Sequence, residues 1–410
     1  MTVARGPDHW IISQTMSAQP QPLENKGGEG DFALYVHWPF CVSKCPYCDF
    51  NSHVAETVDE DAWARALVSE LHHYGIETKG RRLDSVFFGG GTPSLMPARI
   101  VGLLLDEAAR HWTFGPALEI TLEANPSSAE SRKFKDFRAA GVNRVSVGIQ
   151  SFDDAALRFL GRAHDAREAR QAITLAERSF PRFSFDLIYA LPGQSEADWR
   201  RALADALALA GDHLSLYQLT IERGTPFFAA HRDGAFAIPG EDLASGLYEI
   251  TQEVMQINGF PAYEISNHAR PGGECRHNLV YWQGGDYVGI GPGAHGRVPL
   301  AGRRHATEQI PAPGHWLAAV GTRGHATRKS AIVSETERIE EYLMTGLRLA
   351  AGIDRARFGR LTGVPLAEAV ESARLEKLVR EGYMTADSTG IRATGEGMTR
   401  LNAVIAYLIG

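Results

Sequence analysis

Hydrophobic positions along the chain follow two alternating spacings. From Phe32 onward, short β-branched or aromatic runs are followed by longer stretches in which apolar residues recur every three or four positions. This alternation predicts βα units built around a parallel sheet. The predicted strands are Ala33–His37, Ser85–Phe88, Leu118–Leu122, Arg144–Ile149, Ser184–Ile188 and Ser215–Ile221. The predicted helices among them are Glu60–Tyr74, Ala98–His111, Ala129–Ala139, Ala166–Arg178 and Glu196–Ala210.

These βα units are too few to close an eight-unit barrel. Right-handed crossovers between parallel strands curl such a series into an arc. The sequence therefore predicts an α/β fold, a partial (β/α)6 TIM-like barrel over residues 32–225. In this architecture function collects in the loops that follow the strands, at the carboxyl edge of the sheet.

The βα rhythm stops past Glu222. Residues 226–334 are predicted to form an extension that begins with a helix at Glu241–Ile257 and ends in a polar connector from Arg297 to Ser334. Residues 335–410 are predicted to form a small, mostly helical, winged-helix-like domain. Its predicted elements are helices at Glu335–Ala350, Arg355–Leu361, Leu366–Glu381 and Met398–Ile409, with a hairpin from Tyr383 to Thr394.

Composition narrows the class of protein. The chain has 410 residues, is 44% hydrophobic and carries a net charge of −7, which argues against a nucleic-acid partner. No apolar run approaches the ~18 residues that cross a bilayer, and residues 1–31 are predicted to be a flexible tail without signal-peptide character. A cytoplasmic protein is expected.

Three of the four cysteines, Cys41, Cys45 and Cys48, share one short loop directly after the first predicted strand. The spacing C-x3-C-x2-C places thiols at three corners of an iron–sulfur cubane and leaves one iron open to a small chelating ligand. Zinc is an alternative, with His37, His53 or Cys275 as a fourth ligand. A disulfide is less favoured in a chain with so few cysteines.

Polar and glycine residues follow the next strands. The run Gly89-Gly90-Gly91 removes every Cβ where one glycine would suffice for a turn, which favours close approach of the backbone to a ligand. Glu123 ends the third strand and is placed to accept hydrogen bonds from a ligand. Asp186 lies between apolar residues in the fifth strand, which is unfavourable unless the carboxylate is paired or functional.

A further group of candidate residues lies in the extension. His277 near Tyr281 and Trp282 offers a planar, apolar ligand both stacking faces and a metal-binding nitrogen. On the residues alone, a packed core histidine is the commoner situation. Cys275 is a weaker candidate ligand, with an inert buried thiol as the alternative.

The cysteine loop resembles that of radical S-adenosylmethionine (SAM) enzymes, in which an aromatic residue such as Tyr47 precedes the last cysteine. The run Tyr-Val-His-Trp-Pro-Phe-Cys, with Cys-Pro-Tyr-Cys-Asp-Phe, is similar to the oxygen-independent coproporphyrinogen oxidase group, and most of all to its heme chaperones of the HemW type. The dehydrogenases of that group carry a further cysteine where this chain has Phe50. The resemblance runs from about residue 32 to the end.

The resemblance implies three bound groups: a [4Fe-4S] cluster, SAM and heme. Cys41, Cys45 and Cys48 would hold the cluster, and His277 is the first choice for heme because His-Asn-x-x-Tyr-Trp is typical of HemW-like sequences. The cofactor contacts that the resemblance implies near the cluster are Tyr35, Tyr47, Gly90, Gly91, Thr92, Glu123, Gln150, Arg162 and Asp186.

The function implied by the resemblance is that of a heme chaperone, which holds heme and passes it to an acceptor hemoprotein. Delivery to a respiratory enzyme would bring the protein into peripheral contact with the inner face of a membrane. The rival is an enzyme, coproporphyrinogen III dehydrogenase, which would need an electron donor to cleave SAM. Radical chemistry on an unrelated substrate is a third alternative.

Overall fold

A computed structural model of the chain describes residues 31–127, 130 and 132–410. The predicted tail over residues 1–31 lies outside the described residues except for Asp31, and the predicted helix Ala129–Ala139 lies partly outside them. Within the described ranges, the alternation of strands and helices follows the predicted order.

One large sheet organises the chain, with a two-stranded pair attached at its carboxyl edge. The sheet strands are β1 Phe32–Trp38, β4 Arg82–Gly90, β5 Thr113–Ala124, β6 Arg144–Gln150, β7 Arg182–Tyr189, β8 His213–Gln218, β9 Asn267–Ala269, β10 Asp286–Ile290, β11 His295–Leu300, β12 Arg303–Gln309 and β13 Thr327–Ile332. The separate pair is β2 Phe40–Cys41 and β3 His53–Val54. All six predicted strands are confirmed, although β5 begins at Thr113 rather than Leu118, and β8 ends at Gln218 rather than Ile221.

The strand order is β13-β12-β11-β10-β1-β4-β5-β6-β7-β8-β9, which is an open arrangement. The strands from β10 through β8 in this order run parallel, whereas β9 and the hairpin strands β11 to β13 pair antiparallel to their neighbours. The predicted partial barrel is confirmed, and the sheet continues beyond both of its edges.

Helices cover the sheet on its outer side. They are α1 Glu60–Glu77, α2 Ala98–His111, α3 Phe134–Ala139, α4 Asp154–Phe159, α5 Ala166–Ser179, α6 Glu196–Leu209, α7 Pro226–Arg232, α8 Glu241–Ile257, α9 Arg276–Trp282 and α10 Pro313–Arg323. Side-chain hydrogen bonds cap the N-terminal ends of several of these helices. Asp165 and Glu168 form a capping box at α5, and Ser195 and Asp198 form one at α6.

Parallel strands that are covered on both faces become nearly continuous hydrophobic runs. β1 shows this pattern, since Phe32, Leu34 and Val36 on one face and Ala33 on the other are fully buried. The main hydrophobic core joins these strands to α1, α2, α5 and α6. It fixes the positions from which the loops at the carboxyl edge project.

The predicted connector from Arg297 to Ser334 is wrong. This segment contains the strands β11, β12 and β13 and the helix α10. Its strands are rich in Arg, His and Thr because only one side of the hairpins is buried, so the sequence lacks the apolar run on which strand prediction depends. Residues 267–269 and 286–290 also form strands that were not predicted.

The C-terminal region has its own hydrophobic core. Its elements are α11 Glu335–Gly346, β14 Ile353–Asp354, α12 Arg355–Thr362, α13 Leu366–Ala369, α14 Ser372–Arg380, β15 Met384–Ala386, β16 Gly390–Ala393, α15 Gly395–Thr399 and α16 Leu401–Ile409. β14 precedes three short helices, and β15 and β16 follow them as a hairpin. With the sheet order β14-β16-β15 this is the arrangement of a winged helix, and the predicted hairpin is confirmed. The predicted helix Leu366–Glu381 is two helices, since Val370 and Glu371 have extended backbone between them.

Within the described part of the chain, every helix is too short or too polar to cross a membrane.

Candidate functional site

The cysteine loop lies where β1 ends, at the carboxyl edge of the sheet. The short strands β2 and β3 pair with each other and close the loop between Cys41 and His53. Inside it, the Cys48 N–H donates to the Cys45 carbonyl oxygen at 3.1 Å. All three thiols of the loop are unpaired and half-buried. They are held close to one another and remain accessible from outside.

Two polar side chains from loops at this edge donate hydrogen bonds to the sulfur atoms. The Thr92 hydroxyl donates to Cys41 Sγ at 3.4 Å, and Arg162 Nη1 donates to Cys45 Sγ at 3.3 Å. Asn125 joins these two donors, because its amide donates to Thr92 Oγ1 at 3.1 Å and its carbonyl oxygen accepts from Arg162 Nη2 at 2.5 Å. This chain of donors favours negative charge on the thiols.

Asn125 is a site residue that sequence reasoning missed. It stands two positions after Glu123 in the strand-end run Leu-Glu-Ala-Asn-Pro. The available signal was an amide at the carboxyl end of a parallel strand, beside a predicted site residue. Arg162 was predicted as a cofactor contact, and its guanidinium lies against Cys45 and beside Tyr47.

The Cys41 thiol holds its proton more tightly than a solvated thiol does. Burial raises the pKa of the Cys41 thiol, and the neighbouring Cys48 and Cys45 raise it further, while Thr92 and Arg162 act in the opposite direction. Three thiols packed this closely are stabilised when a metal replaces their protons, since metal binding requires the thiolate form. The donor set therefore fits a cationic inorganic centre.

Zinc would need a fourth ligand beside the three thiols. His37 is not free to complete a zinc site, because its Nε2 bonds to the Asn51 carbonyl oxygen and its Nδ1 to the Tyr35 hydroxyl. Cys275 lies elsewhere in the barrel.

The glycine run after β4 packs against the cysteine loop. A Cβ on Gly91 would lie 2.9 Å from the Phe40 carbonyl oxygen, and one on Gly90, whose φ is +117°, would lie 2.6 Å from the His37 ring. The Gly91 and Thr92 N–H groups donate to the Trp38 and Phe40 carbonyl oxygens. Their amides are thus used within the protein, and the ligand contacts predicted for Gly91 and Thr92 must come from other atoms.

Two carboxyl groups line the wall of the cavity beside the cysteine loop. Burial, and then the nearby Asp186, raise the pKa of Glu123 to about 8. Burial raises the pKa of Asp186 to about 6, although hydrogen bonds from Ser215 and Ser146 oppose this. Two carboxyl groups this close and poorly solvated favour a cationic ligand, which would stabilise both as carboxylates.

Gln150 also lines this cavity and has a strained backbone. Its φ is +67° at the end of β6, where the pairing with β7 shifts register. The absence of a Cβ on Gly148 makes room, since such a Cβ would lie 2.9 Å from Gln150 Nε2. Strained non-glycine residues cluster at binding sites. The strain at Gln150 supports its predicted role as a cofactor contact.

The cavity at this edge has a volume of about 1240 Å³. This exceeds the roughly 300–1,000 Å³ of a typical small-molecule pocket. Tyr47, Cys48, Glu123, Gln150 and Asp186 form its inner wall, while α8 and the last two helices of the C-terminal region form the outer wall. The predicted site residues Tyr47, Glu123, Gln150 and Asp186 are therefore brought together in one chamber.

Tyr35 and His277 lie deeper, in the interior of the barrel. The Tyr35 hydroxyl bonds to His37, and its ring lies beside Phe87 and His277. His277 projects from α9 and bonds Ser85 on β4, which pairs with Ala33 at the amino end of β1. The structure therefore separates His277 from the cysteine loop, which follows the carboxyl end of β1.

His277 has no free ring nitrogen in this conformation. Its Nδ1 bonds to the Ser85 hydroxyl at 2.9 Å and its Nε2 to the Tyr281 hydroxyl at 2.6 Å. The side chain is 2% exposed, and burial lowers its pKa to about 3. Heme ligation by His277 remains a prediction, and it requires that Ser85 or Tyr281 move away.

Cys275 is also buried at this end. Its thiol donates to Glu119 at 3.5 Å, and burial raises its pKa to about 12. A thiol in that state is protonated and unreactive. These contacts favour the inert thiol over a ligand role.

The cysteine loop is braced by the turn that follows β10, the strand paired with β1. Asn51 Nδ2 donates to the carbonyl oxygens of Pro292 and Pro311, at 2.9 and 3.0 Å. A Cβ on Gly293 would lie 2.7 Å from the same amide nitrogen. The glycine-rich run from Gly289 to Gly293 therefore supports the shape of the cysteine loop, a role that the sequence did not indicate.

Comparison with known proteins gives two family matches. The Radical SAM superfamily matches residues 35–206, and the HemN C-terminal domain matches residues 333–399. A relative from Bos taurus, the mitochondrial radical S-adenosyl methionine domain-containing protein 1, is 40% identical over 99% of this chain and 94% of its own length. The heme chaperone HemW of Escherichia coli is 37% identical over 92% of this chain and 98% of its own.

The folds can be compared as well. The solved structure of the coproporphyrinogen III oxidase HemN from Escherichia coli, a radical SAM enzyme, covers 92% of this chain and 90% of its own with a TM-score of 0.77. Its sequence is 23% identical, so this likeness shows the fold alone.

Proposed function

This chain belongs to the radical SAM superfamily and to the HemW group within it, and from that premise we propose that it is a heme chaperone. In this proposal the protein holds heme and passes it to an acceptor hemoprotein, for example a respiratory enzyme. The observation that carries the proposal is the match, over more than nine-tenths of both chains, to relatives named heme chaperones at 33–37% identity.

A [4Fe-4S] cluster and SAM come with membership of the superfamily. Cys41, Cys45 and Cys48 would hold the cluster, with Thr92 and Arg162 donating hydrogen bonds to its thiolates. When bound, the cluster and SAM together supply one-electron chemistry. The fit rests on three half-exposed thiols, and on Arg162 Nε, a buried nitrogen without a hydrogen-bond partner among the described residues.

The carboxyl groups of the chamber suit the cationic ends of SAM. An ammonium or sulfonium group near Glu123 and Asp186 would lower the pKa of both and hold them as carboxylates. Gln150, in its strained conformation, and Tyr47 would fix the orientation of the ligand from the rim. Tyr35 lies beneath these groups, where it supports His37 and the glycine turn.

The charge of the chamber favours the chaperone over the coproporphyrinogen dehydrogenase. Among the described residues that line it, eight are acidic and one is basic. The basic residue, Arg400, is already paired with Glu396 at 2.7 Å. Coproporphyrinogen III carries four propionate groups and heme carries two, so an acidic wall disfavours coproporphyrinogen III more strongly than heme.

Heme ligation at His277 is part of the proposal and needs a local opening of α9. Tyr281→Phe would release His277 Nε2 without removing the ring, whereas His277→Ala would remove the ligand. If His277 binds heme iron, Tyr281→Phe should tighten heme binding. His277→Ala should abolish the absorption spectrum of histidine-ligated heme. Unchanged spectra in both variants would place the axial ligand elsewhere.

One experiment separates chaperone from dehydrogenase. Protein that has been reconstituted anaerobically with iron, sulfide and SAM is incubated with heme or, separately, with coproporphyrinogen III and a reductant. We expect heme to remain bound through gel filtration and coproporphyrinogen III to be recovered unchanged. Porphyrin fluorescence that reports conversion of coproporphyrinogen III would overturn the chaperone proposal.

A further inference from the structure

A second group of metal-ligand side chains lies on the outer helical layer, apart from the cysteine loop. His72 projects from α1, and Glu107 and His111 project from α2 one turn apart. Glu107 Oε1 lies 2.7 Å from His72 Nδ1 and 2.9 Å from His111 Nε2. The two ring nitrogens are 3.3 Å apart. Among the described residues, this is the set of three whose ligand atoms all lie within 4.8 Å of one another.

The carboxylate of this group is fixed and largely buried. The Glu107 side chain is 5% exposed and that of His111 is 9% exposed, whereas that of His72 is 56% exposed. Arg110 Nη1 holds the other carboxylate oxygen, Oε2, at 2.9 Å. Oε1 is therefore turned toward the imidazoles, and His72 covers the group from the solvent side.

The helix interface is shaped around the ring of His111. Gly75 lies within α1, where glycine is less favourable than alanine. A Cβ at this position would lie 2.4 Å from His111 Cδ2. The missing side chain is what allows the imidazole to sit against α1 and reach Glu107, so the site has a second, independent structural feature.

Hydrogen bonding describes one state of this group, because Glu107 Oε1 can accept an N–H from each imidazole when both ring nitrogens carry protons. If either nitrogen lacks its proton, its lone pair faces the carboxylate, and a shared cation would relieve this repulsion. Zinc–nitrogen bonds of about 2.0–2.1 Å place tetrahedral ligand atoms about 3.3 to 3.4 Å apart. The two nitrogens already have this spacing, and the distances of 2.7 and 2.9 Å to Glu107 Oε1 would lengthen on metal binding. A cation in this position would satisfy all three ligand atoms.

We propose that His72 Nδ1, Glu107 Oε1 and His111 Nε2 bind a divalent transition-metal ion of the zinc class. Two imidazoles and one carboxylate are a ligand set that suits zinc, and the exposed side by His72 leaves the fourth position to water. The ion would tie α1 to α2 on the outside of the barrel. Arg110 would orient the carboxylate from behind, as outer partners do in metal sites.

The test uses the anaerobically reconstituted protein, in which the cluster occupies the three cysteines, and zinc alone as the probe. Equilibrium dialysis followed by metal analysis should find one zinc per chain in the wild type. His72→Ala should weaken this binding about 100-fold or more, and Gly75→Ala about tenfold, because it displaces His111. His73→Ala is the matched control, since His73 stacks on His325 outside the group.

Zinc X-ray absorption distinguishes this site from the cysteines. Ligation by nitrogen and oxygen at about 2.0–2.1 Å, with zinc retained in His73→Ala and lost in His72→Ala, is the expected result. The proposal is overturned if no zinc binds, if His72→Ala binds zinc as tightly as the wild type, or if scattering at the ~2.3 Å of zinc–sulfur bonds shows that cysteines hold the ion.

Discussion

The two ends of the barrel interior carry similar residue types in opposite physical states. At the carboxyl edge, Cys41 and Cys45 are half-buried, and their sulfur atoms accept hydrogen bonds from Thr92 and Arg162. Toward the amino end, Cys275 is 1% exposed, and its thiol donates to a buried carboxylate. The first set is arranged to receive a positively charged centre, and the second is already satisfied within the protein.

This difference shows that the ligands a residue can bind depend on which of its polar atoms are not already hydrogen-bonded within the protein. His277 is the residue predicted to bind heme, yet Ser85 and Tyr281 use both of its nitrogens. The three thiols use none of their metal-binding capacity within the protein. Heme ligation by His277, toward the amino end, would therefore need a conformational change. Metal binding by the thiols at the carboxyl edge needs no such rearrangement.

The largest expected contrast is between two cysteine substitutions. Cys45→Ala should reduce iron from ~4 atoms per chain to nearly none, because two thiolates do not hold a cubane. Cys275→Ala is the matched control and should leave iron unchanged. Iron and sulfide analysis after anaerobic reconstitution measures both. Equal iron contents in the two variants would contradict the assignment of the cluster to the carboxyl-edge cysteines rather than to Cys275.

A smaller contrast is expected within the amino-end cluster. His277→Ala removes two hydrogen bonds and the ring contact with Phe87, so the free energy of unfolding should fall by about 3 kcal/mol. Tyr281→Phe removes one hydrogen bond and should lower it by about 1 kcal/mol. Anaerobic urea denaturation followed by circular dichroism compares them. A His277→Ala variant as stable as Tyr281→Phe would show that the imidazole is not a core group.

The carboxyl groups of the chamber predict a pH dependence of SAM binding. Because the pKa of Glu123 is raised to about 8, its carboxyl group gains a proton as the pH falls through that value, and a cationic ligand then loses its partner. SAM affinity should fall about tenfold between pH 8 and pH 6.5. Glu123→Gln should bind SAM weakly and without this dependence. Calorimetric titration at several pH values measures the affinity. A wild-type affinity that does not change with pH would contradict the pairing of Glu123 with a cationic group of SAM.

The smallest expected effect concerns one hydrogen bond to sulfur. Thr92→Val removes the donor to Cys41 Sγ and should leave the cluster assembled. Hydrogen bonds to thiolate stabilise the more negative reduced state, so the reduction potential should fall by about 40 mV for the loss of about 1 kcal/mol. Thr362→Val, in the C-terminal region, is the control. A potential that does not move in redox titration would mean that Thr92 does not touch the cluster ligand.

Much of the barrel could be predicted because its parallel strands are buried on both faces. The runs around Leu34 and Val86 are mostly apolar, the run around Phe185 is interrupted by Ser184 and Asp186 only at its centre, and the cysteine spacing is a local motif. The strands from His295 to Ile332 escaped prediction because they are largely polar hairpin strands. β12 also pairs with β13 across the whole of α10, so this part of the sheet depends on residues that are separated in sequence.

The remaining errors at the site have the same origin. Asn125 and Asn51 act through contacts with residues far along the chain, such as Arg162 and Pro292. The saturation of His277 also depends on Ser85, which lies 192 positions away. A motif indicates which residue types are present, but only the folded structure shows which of their atoms are free.

The most direct test of the cluster site is electron paramagnetic resonance of anaerobically reconstituted, dithionite-reduced protein, recorded with and without SAM. We expect a [4Fe-4S]⁺ signal whose g values change when SAM is added, because SAM would bind the iron that lacks a protein thiolate. A signal that SAM leaves unchanged, or protein that takes up no iron, would contradict a three-thiolate cluster with an open iron at the carboxyl edge.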